Sequence, residues 1–550
     1  MNKMIKYSLL ALAVGALAVS CADYNETSGF TAEPDPTAVL PYTDLGPVKS
    51  YINSEKYPNM SLGVQLKVAD FNKQELAHAA AITNFNNVTF GTTLMSGAIV
   101  SDNGIMNFLS MMDLLTHVQE INGEVYGSPI AANANQADGW IKTLTAPIEI
   151  KVDYVDGKEV DFNEMPTGSF PAENGTATIA KYDGQNCLKI NTSAKVRIID
   201  GFEVDSLATY TTTFWAKSDK DAEFNITFSG KKVDGAADGK WPLKAGKWTK
   251  IVVESKSDPE VTDGYLRIEN TRKALFYVQK VQVGYYPDNH RPQTEEEIND
   301  TIRYAMNTWC DGLMKYNEGR IKSFDLIDEP IDTKSVEVAA GIYDIKHGDE
   351  KQIFWQDIFG SEDYAPVVSK TASAAYEKYG GNPTALKFFI SEKGLEDQKT
   401  FESLKYWINK WEGKGAKIDG INAKLTLSYS EDAATQKANE DALNTLLDNL
   451  AATGKMVRLS NFDIKYLNEE GKAVSVDDIT GDQRQKLANY YGYVLKAYMS
   501  KIPNEKQAGI CKSNMVDTTS EPVGLWSLDA KKDWVRNATY KAFCDALSGK

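Results

Sequence analysis

Cysteine and histidine are both scarce in this chain. Five cysteines and four histidines are spread over 550 residues. Besides Cys21 there are Cys187, Cys310, Cys511 and Cys544, with no CxxC spacing, so they read as single buried thiols rather than a disulfide framework or a metal cluster. His78, His117, His290 and His347 form no pattern of a zinc site or a Ser-His-Asp triad, and no metal or cofactor is implied. Positive charge is also in deficit. With 60 basic against 76 acidic residues the net charge is −16, which argues against nucleic acid as a partner and suits a neutral or weakly charged polysaccharide. Long apolar runs are missing as well. The one near the start, Leu9 to Val19, has about a dozen residues, short of the ~20 a spanning helix needs.

That run follows Lys3 and Lys6 and is closed by Ser20-Cys21, the form of a bacterial signal peptide (1–21) ending in a lipoprotein cleavage site. Cys21 would carry the lipid, and the membrane would be reached only through that anchor. Asp23 and Glu26 resemble the acidic tags that route Bacteroidetes lipoproteins outward, so the expected location is the cell surface, on the outer membrane. Residues 22–60 are rich in Pro, Thr and Asp and read as a tether.

Beyond the tether, β-branched and aromatic runs alternate with helical stretches such as Glu295–Glu318 and Thr435–Ala452. Eight candidate strands can be counted: Leu62–Lys67, Phe85–Phe90, Glu124–Gly127, Lys322–Ile327, Leu386–Ile390, Ile418–Leu427, Met456–Ile464 and Val523–Leu528. Eight βα units predict an α/β TIM barrel, in two parts (61–145 and 288–550), with its chemistry at the C-terminal strand ends. Between them, residues 146–287 hold short alternating strands such as Tyr210–Lys217 and Gly246–Val253 separated by Gly/Asp turns, the pattern of an inserted β-sandwich after strand three.

The strand ends carry a resemblance. Phe324-Asp325-Leu326-Ile327-Asp328-Glu329-Pro330 resembles the Trp-Asp-Val-Val-Asn-Glu-Pro of family 10 xylanases, and Met456–Ile464 resembles their strand seven, a hydrophobic run ending Ser/Thr-Glu-x-Asp. The resemblance spans 60–145 and 288–547. It implies an endo-1,4-β-xylanase ancestry in which Glu329 takes the acid/base position and Asn461 stands where the retaining nucleophile should be. A neutral amide cannot act as that nucleophile. Asp328 replaces an Asn, and its charge would tend to raise the pKa of Glu329. Thr92-Thr93-Leu94-Met95, Ser128–Asn133 and Lys424-Leu425-Thr426 stand where the family grips its sugar with Asn-Glu-Met-Lys, His-Thr-Leu-x-Trp-His and Gln-x-His. Trp526 and Trp534 match the tryptophans that wall the family's cleft. Glu392 is the leading substitute carboxylate; Asp463 lies about 6.6 Å further along the strand than Asn461, too far for the original in-line attack.

The insert resembles jelly-roll carbohydrate-binding modules, through Tyr210-Thr211-Thr212-Thr213-Phe214-Trp215-Ala216-Lys217 and the late Gly246-Lys247-Trp248 strand. Of its aromatics, Trp215 and Tyr277 lie in alternating strands and are expected in the core, while Trp241, after Asp238-Gly239-Lys240, is the expected exposed stacking platform. The resulting expectation is a surface lipoprotein that binds xylan or a related β-1,4-linked plant polysaccharide beside other surface glycan-utilisation proteins, with catalysis impaired. The alternative is an active retaining xylanase with an altered site.

Overall fold

The computed structural model describes residues 42–550 except 121–122, 272–273, 350–351 and 353, so Cys21 and the signal peptide lie outside the described residues. Two compact units are present, Ala146–Thr294 and the remainder.

The larger unit is a closed parallel barrel of eight strands: β1 (Leu62–Gln65), β2 (Asn87–Thr89), β3 (Glu124–Gly127), β4 (Ser323–Asp328), β5 (Lys387–Lys393), β6 (Gly420–Lys424), β7 (Met456–Ser460) and β8 (Gln507–Lys512). Closure comes from β8 pairing with β1. Seven of these overlap the candidate strands. The eighth does not: Trp526–Leu528 is one arm of a hairpin with Trp534–Arg536, and the barrel closes earlier in the chain, through Gln507–Lys512. The sequence hides that strand because Gln507 and Lys512 are fully buried polar residues and Gly509, at φ 116°, sits where a Cβ would lie 2.1 Å from the Ser61 carbonyl. Only glycine allows β8 to approach the chain entering β1 that closely.

Helices follow the strands and bury one stripe each. Glu295–Asn317 opens on three glutamates, favourable at a helix N-terminus, and buries Ile302, Met306, Trp309 and Leu313 at three- and four-residue spacing. Ala433–Ala452 is capped by Asp432, whose side chain accepts from the Thr435 N–H. Residues 45–60, expected in the tether, instead join the barrel: Val48, Tyr57 and Met60 are buried in its core, and the Tyr540 hydroxyl donates to the Gly46 carbonyl. Cys187, Cys310, Cys511 and Cys544 are buried free thiols.

The smaller unit is a β-sandwich. A five-stranded sheet faces a seven-stranded one, the latter containing Thr209–Ser218 paired with Thr249–Lys256 and Phe276–Tyr286. Inward residues such as Phe214, Phe224, Val253 and Val281 form its own core.

Candidate functional site at the barrel mouth

The inside of the barrel is polar below the mouth. Strand alternation turns Tyr126 (β3), Asp325 (β4), Asn422 (β6) and Arg458 (β7) inward. The Tyr126 hydroxyl donates to Asp325 at 2.6 Å, Asn422 donates to both carboxylate oxygens, and the Arg458 guanidinium lies 3.8 Å from the Tyr126 ring centre. Burial raises the Asp325 pKa to about 6 against the opposing pull of the Tyr126 hydrogen bond.

Glu329 stands at the end of β4 with φ 44°, a left-handed conformation that costs a non-glycine residue on the order of 1 kcal/mol and is held by its N–H donating to the Ser391 carbonyl at 2.7 Å. Its carboxylate sits among three ammonium groups. Lys393 donates to Oε2 at 2.6 Å, Lys424 donates to Oε1 at 3.0 Å, and Lys346 lies 3.8 Å from Oε2. Lys424 also pairs closely with Asp328, which accepts from the Ser391 hydroxyl at 2.6 Å. Burial pushes the Glu329 pKa up, but the hydrogen bonds from Lys393 and Lys424 outweigh it, and the net value falls to about 2. The rise expected from Asp328 is therefore reversed, because Asp328 is itself neutralised by Lys424.

At the end of β7, Asn461 has an exposed side chain and φ 53°, a conformation asparagine tolerates. Asp463 is tied to Lys512 in a close ion pair and accepts from Asn514 at 2.6 Å, so it locks the ends of β7 and β8 together. Glu392 is 2 % exposed and turned away: in β5 it is Ser391 and Lys393 that face the barrel interior, and the Glu392 oxygens accept the backbone N–H groups of Ile331 and Lys393. Burial lifts its pKa to about 7. Glu392 is thus a structural acceptor and does not replace the nucleophile. Thr93 and Thr426 are exposed; the Ser128 hydroxyl donates to the Gly91 carbonyl, and Asn133 bridges the Glu329 carbonyl and Gln356.

The tryptophans differ from expectation. Trp526 is 6 % exposed, packed edge-on against Tyr540 at 5.2 Å and 6.0 Å from half-buried Trp534, so it belongs to the hairpin's packing rather than to a cleft wall. Trp241 is half-buried, its indole N–H donating to the Val233 carbonyl, because the tight turn at Asp238-Gly239 returns it to the sheet edge. Trp215 is the reverse case. With Phe214 and Ala216 inward, alternation carries Trp215 to the outer face of the seven-stranded sheet, where it is 43 % exposed. Val252 and Tyr286 are also exposed in this sheet, and exposed Tyr154, just before the strand Val155–Val160, lies edge-on to Tyr286 at 5.1 Å. Tyr277 is buried, stacked on Tyr182 at 3.8 Å.

Sequence reasoning missed the lysine cluster. A signal existed in the alternation of β5 and β6, which places Lys393 with Ser391, and Lys424 with Asn422, on the interior face.

Residues 286–544 match the family model described as Glycosyl hydrolase family 10. No curated protein matches the chain. Among solved structures the chain is similar to xylanase B from Clostridium stercorarium F9, at 10% identity with 91% of this chain and 100% of that one covered and a TM-score of 0.50. It is also similar to a GH10 endoxylanase retrieved from a sugarcane soil metagenome, at 10% identity with 90% and 99% covered and a TM-score of 0.50. At that identity the likeness speaks to fold alone.

Proposed function

We propose that this chain, whose barrel belongs to glycosyl hydrolase family 10, is a xylan-binding protein held at the cell surface by lipid on Cys21, and that its barrel no longer hydrolyses glycosidic bonds. One observation carries the reading: the Glu329 carboxylate is engaged by Lys393 and Lys424, and Asn461 stands at the end of β7 where the nucleophile is expected. A retaining hydrolase needs a protonated acid and a carboxylate nucleophile about 5–5.5 Å apart. The hydrogen bonds from Lys393 and Lys424 favour the ionised form of Glu329 at neutral pH, the wrong form for a general acid. Neither candidate substitute serves as the nucleophile, since Asp463 is bound to Lys512 and Glu392 to backbone.

Binding needs neither group. Stacking of sugar rings on Trp215, with Tyr286 on the same sheet and Tyr154 edge-on to it, supplies apolar contact independent of charge. The competing reading, an active xylanase with an altered site, draws its support from the family match. Affinity electrophoresis in neutral arabinoxylan tests the proposal: wild type and Glu329→Gln should be retarded equally, and free migration of the wild type would remove the binding function.

A further inference from the structure

The lysines at the mouth outnumber the carboxylates they meet. Lys346, Lys393 and Lys424 face Asp328 and Glu329, leaving one positive charge in surplus on a chain whose net charge is −16. Glu392 acts on Lys346 and Lys393 through space, but it lies on the other face of β5 and accepts a hydrogen bond from neither ammonium. Asp463 is matched by Lys512, and Asp325 lies below with Arg458. Glu392 points away, with both oxygens committed to backbone N–H groups.

The three lysines are not equivalent. Lys424 is enclosed, its side chain 18 % exposed, and bridges both carboxylates. Lys393 is 63 % exposed and gives one bond to Glu329, which leaves N–H donors of its ammonium directed to solvent. Lys346 is 31 % exposed and beyond hydrogen-bond reach of Glu329. A neutral sugar hydroxyl gains little from such an arrangement. A carboxylate gains charge-assisted hydrogen bonds from two partly solvated ammonium groups, of which Lys393 is already held by its bond to Glu329.

We propose that the barrel mouth receives the carboxylate of a uronic acid carried on the bound glycan, with Lys393 and Lys346 as its contacts and Glu329 and Lys424 as their fixed support. The proposal deepens the glycan-binding reading above and rests on it.

Calorimetric titration of the full chain with two ligands tests it: a glucuronic-acid-substituted xylo-oligosaccharide, and the same oligosaccharide with its carboxyl reduced to the alcohol. The acidic form should bind about tenfold more tightly at low salt, and the gap should narrow in about 0.5 M NaCl. Lys393→Gln should abolish the preference for the acidic ligand. Equal wild-type affinity for the two ligands overturns the uronate contact yet keeps glycan binding; binding of neither overturns both. A preference that survives in both Lys393→Gln and Lys346→Gln overturns the placement at the mouth. Free D-glucuronate binding as tightly as the oligosaccharide overturns the role of the attached chain.

Discussion

The barrel mouth and the outer face of the insert's seven-stranded sheet differ in what they leave unpaired. At the mouth Trp526 is covered and Trp534 half-buried, and the charged groups form ion pairs: Glu329 and Asp328 against three lysines, Asp463 against Lys512. On the sheet Trp215 is 43 % exposed, with Lys250 as its cross-strand neighbour. Charge pairs fix geometry and consume the groups that acid–base chemistry would need. Open rings fix nothing and are free to meet a sugar.

The largest test of that contrast is at β7 and β8. Asp463→Ala leaves Lys512, fully buried, without its counter-ion, and should cost about 3–5 kcal/mol in denaturant unfolding. A loss near that of a surface substitution would show that the pair is not a structural lock.

Next comes the pH dependence of Glu329. Its folded pKa is depressed from 4.5 to about 2, so its contribution is present above pH 4.5 and disappears as pH falls through about 2. With allowance for partial solvent screening this amounts to about 2 kcal/mol. Subtracting the pH–stability curve of Glu329→Gln from that of the wild type isolates it; a flat difference between pH 4.5 and 2 contradicts the lysine cage.

Smaller again is the ring. Trp215→Ala should weaken retention in neutral arabinoxylan by about five- to tenfold, equivalent to about 1 kcal/mol of stacking, with little change in stability because the side chain is exposed. Trp241→Ala should do the opposite, lowering stability through the lost Val233 hydrogen bond and leaving retention nearly unchanged.

Much of the fold was legible because hydrophobic strands and polar helices carry their period openly. β3 coincides with its expected bounds, and Glu329, Asn461 and Lys424 stand at the strand ends where spacing put them. The failures have local causes. β8 was obscured since barrel interiors admit Gln507, Gly509 and Lys512, none of which favours a strand in isolation. Trp215 was given the wrong phase: a tryptophan looks like core until its neighbours Phe214 and Ala216 are seen to occupy the inward positions. The charge state of Glu329 was misjudged because sequence shows the adjacent Asp328 but not Lys346 and Lys393, which reach it from other segments of the chain.

The central claim, a barrel that holds glycan without cutting it, is tested most directly by reducing-end release from xylan over a prolonged incubation, with wild type and Asn461→Glu side by side. Neither should yield product above the enzyme-free rate, since restoring the nucleophile leaves Glu329 ionised by its lysines. Sustained release by the wild type that vanishes in Glu329→Gln, or a large gain in Asn461→Glu, would contradict the account.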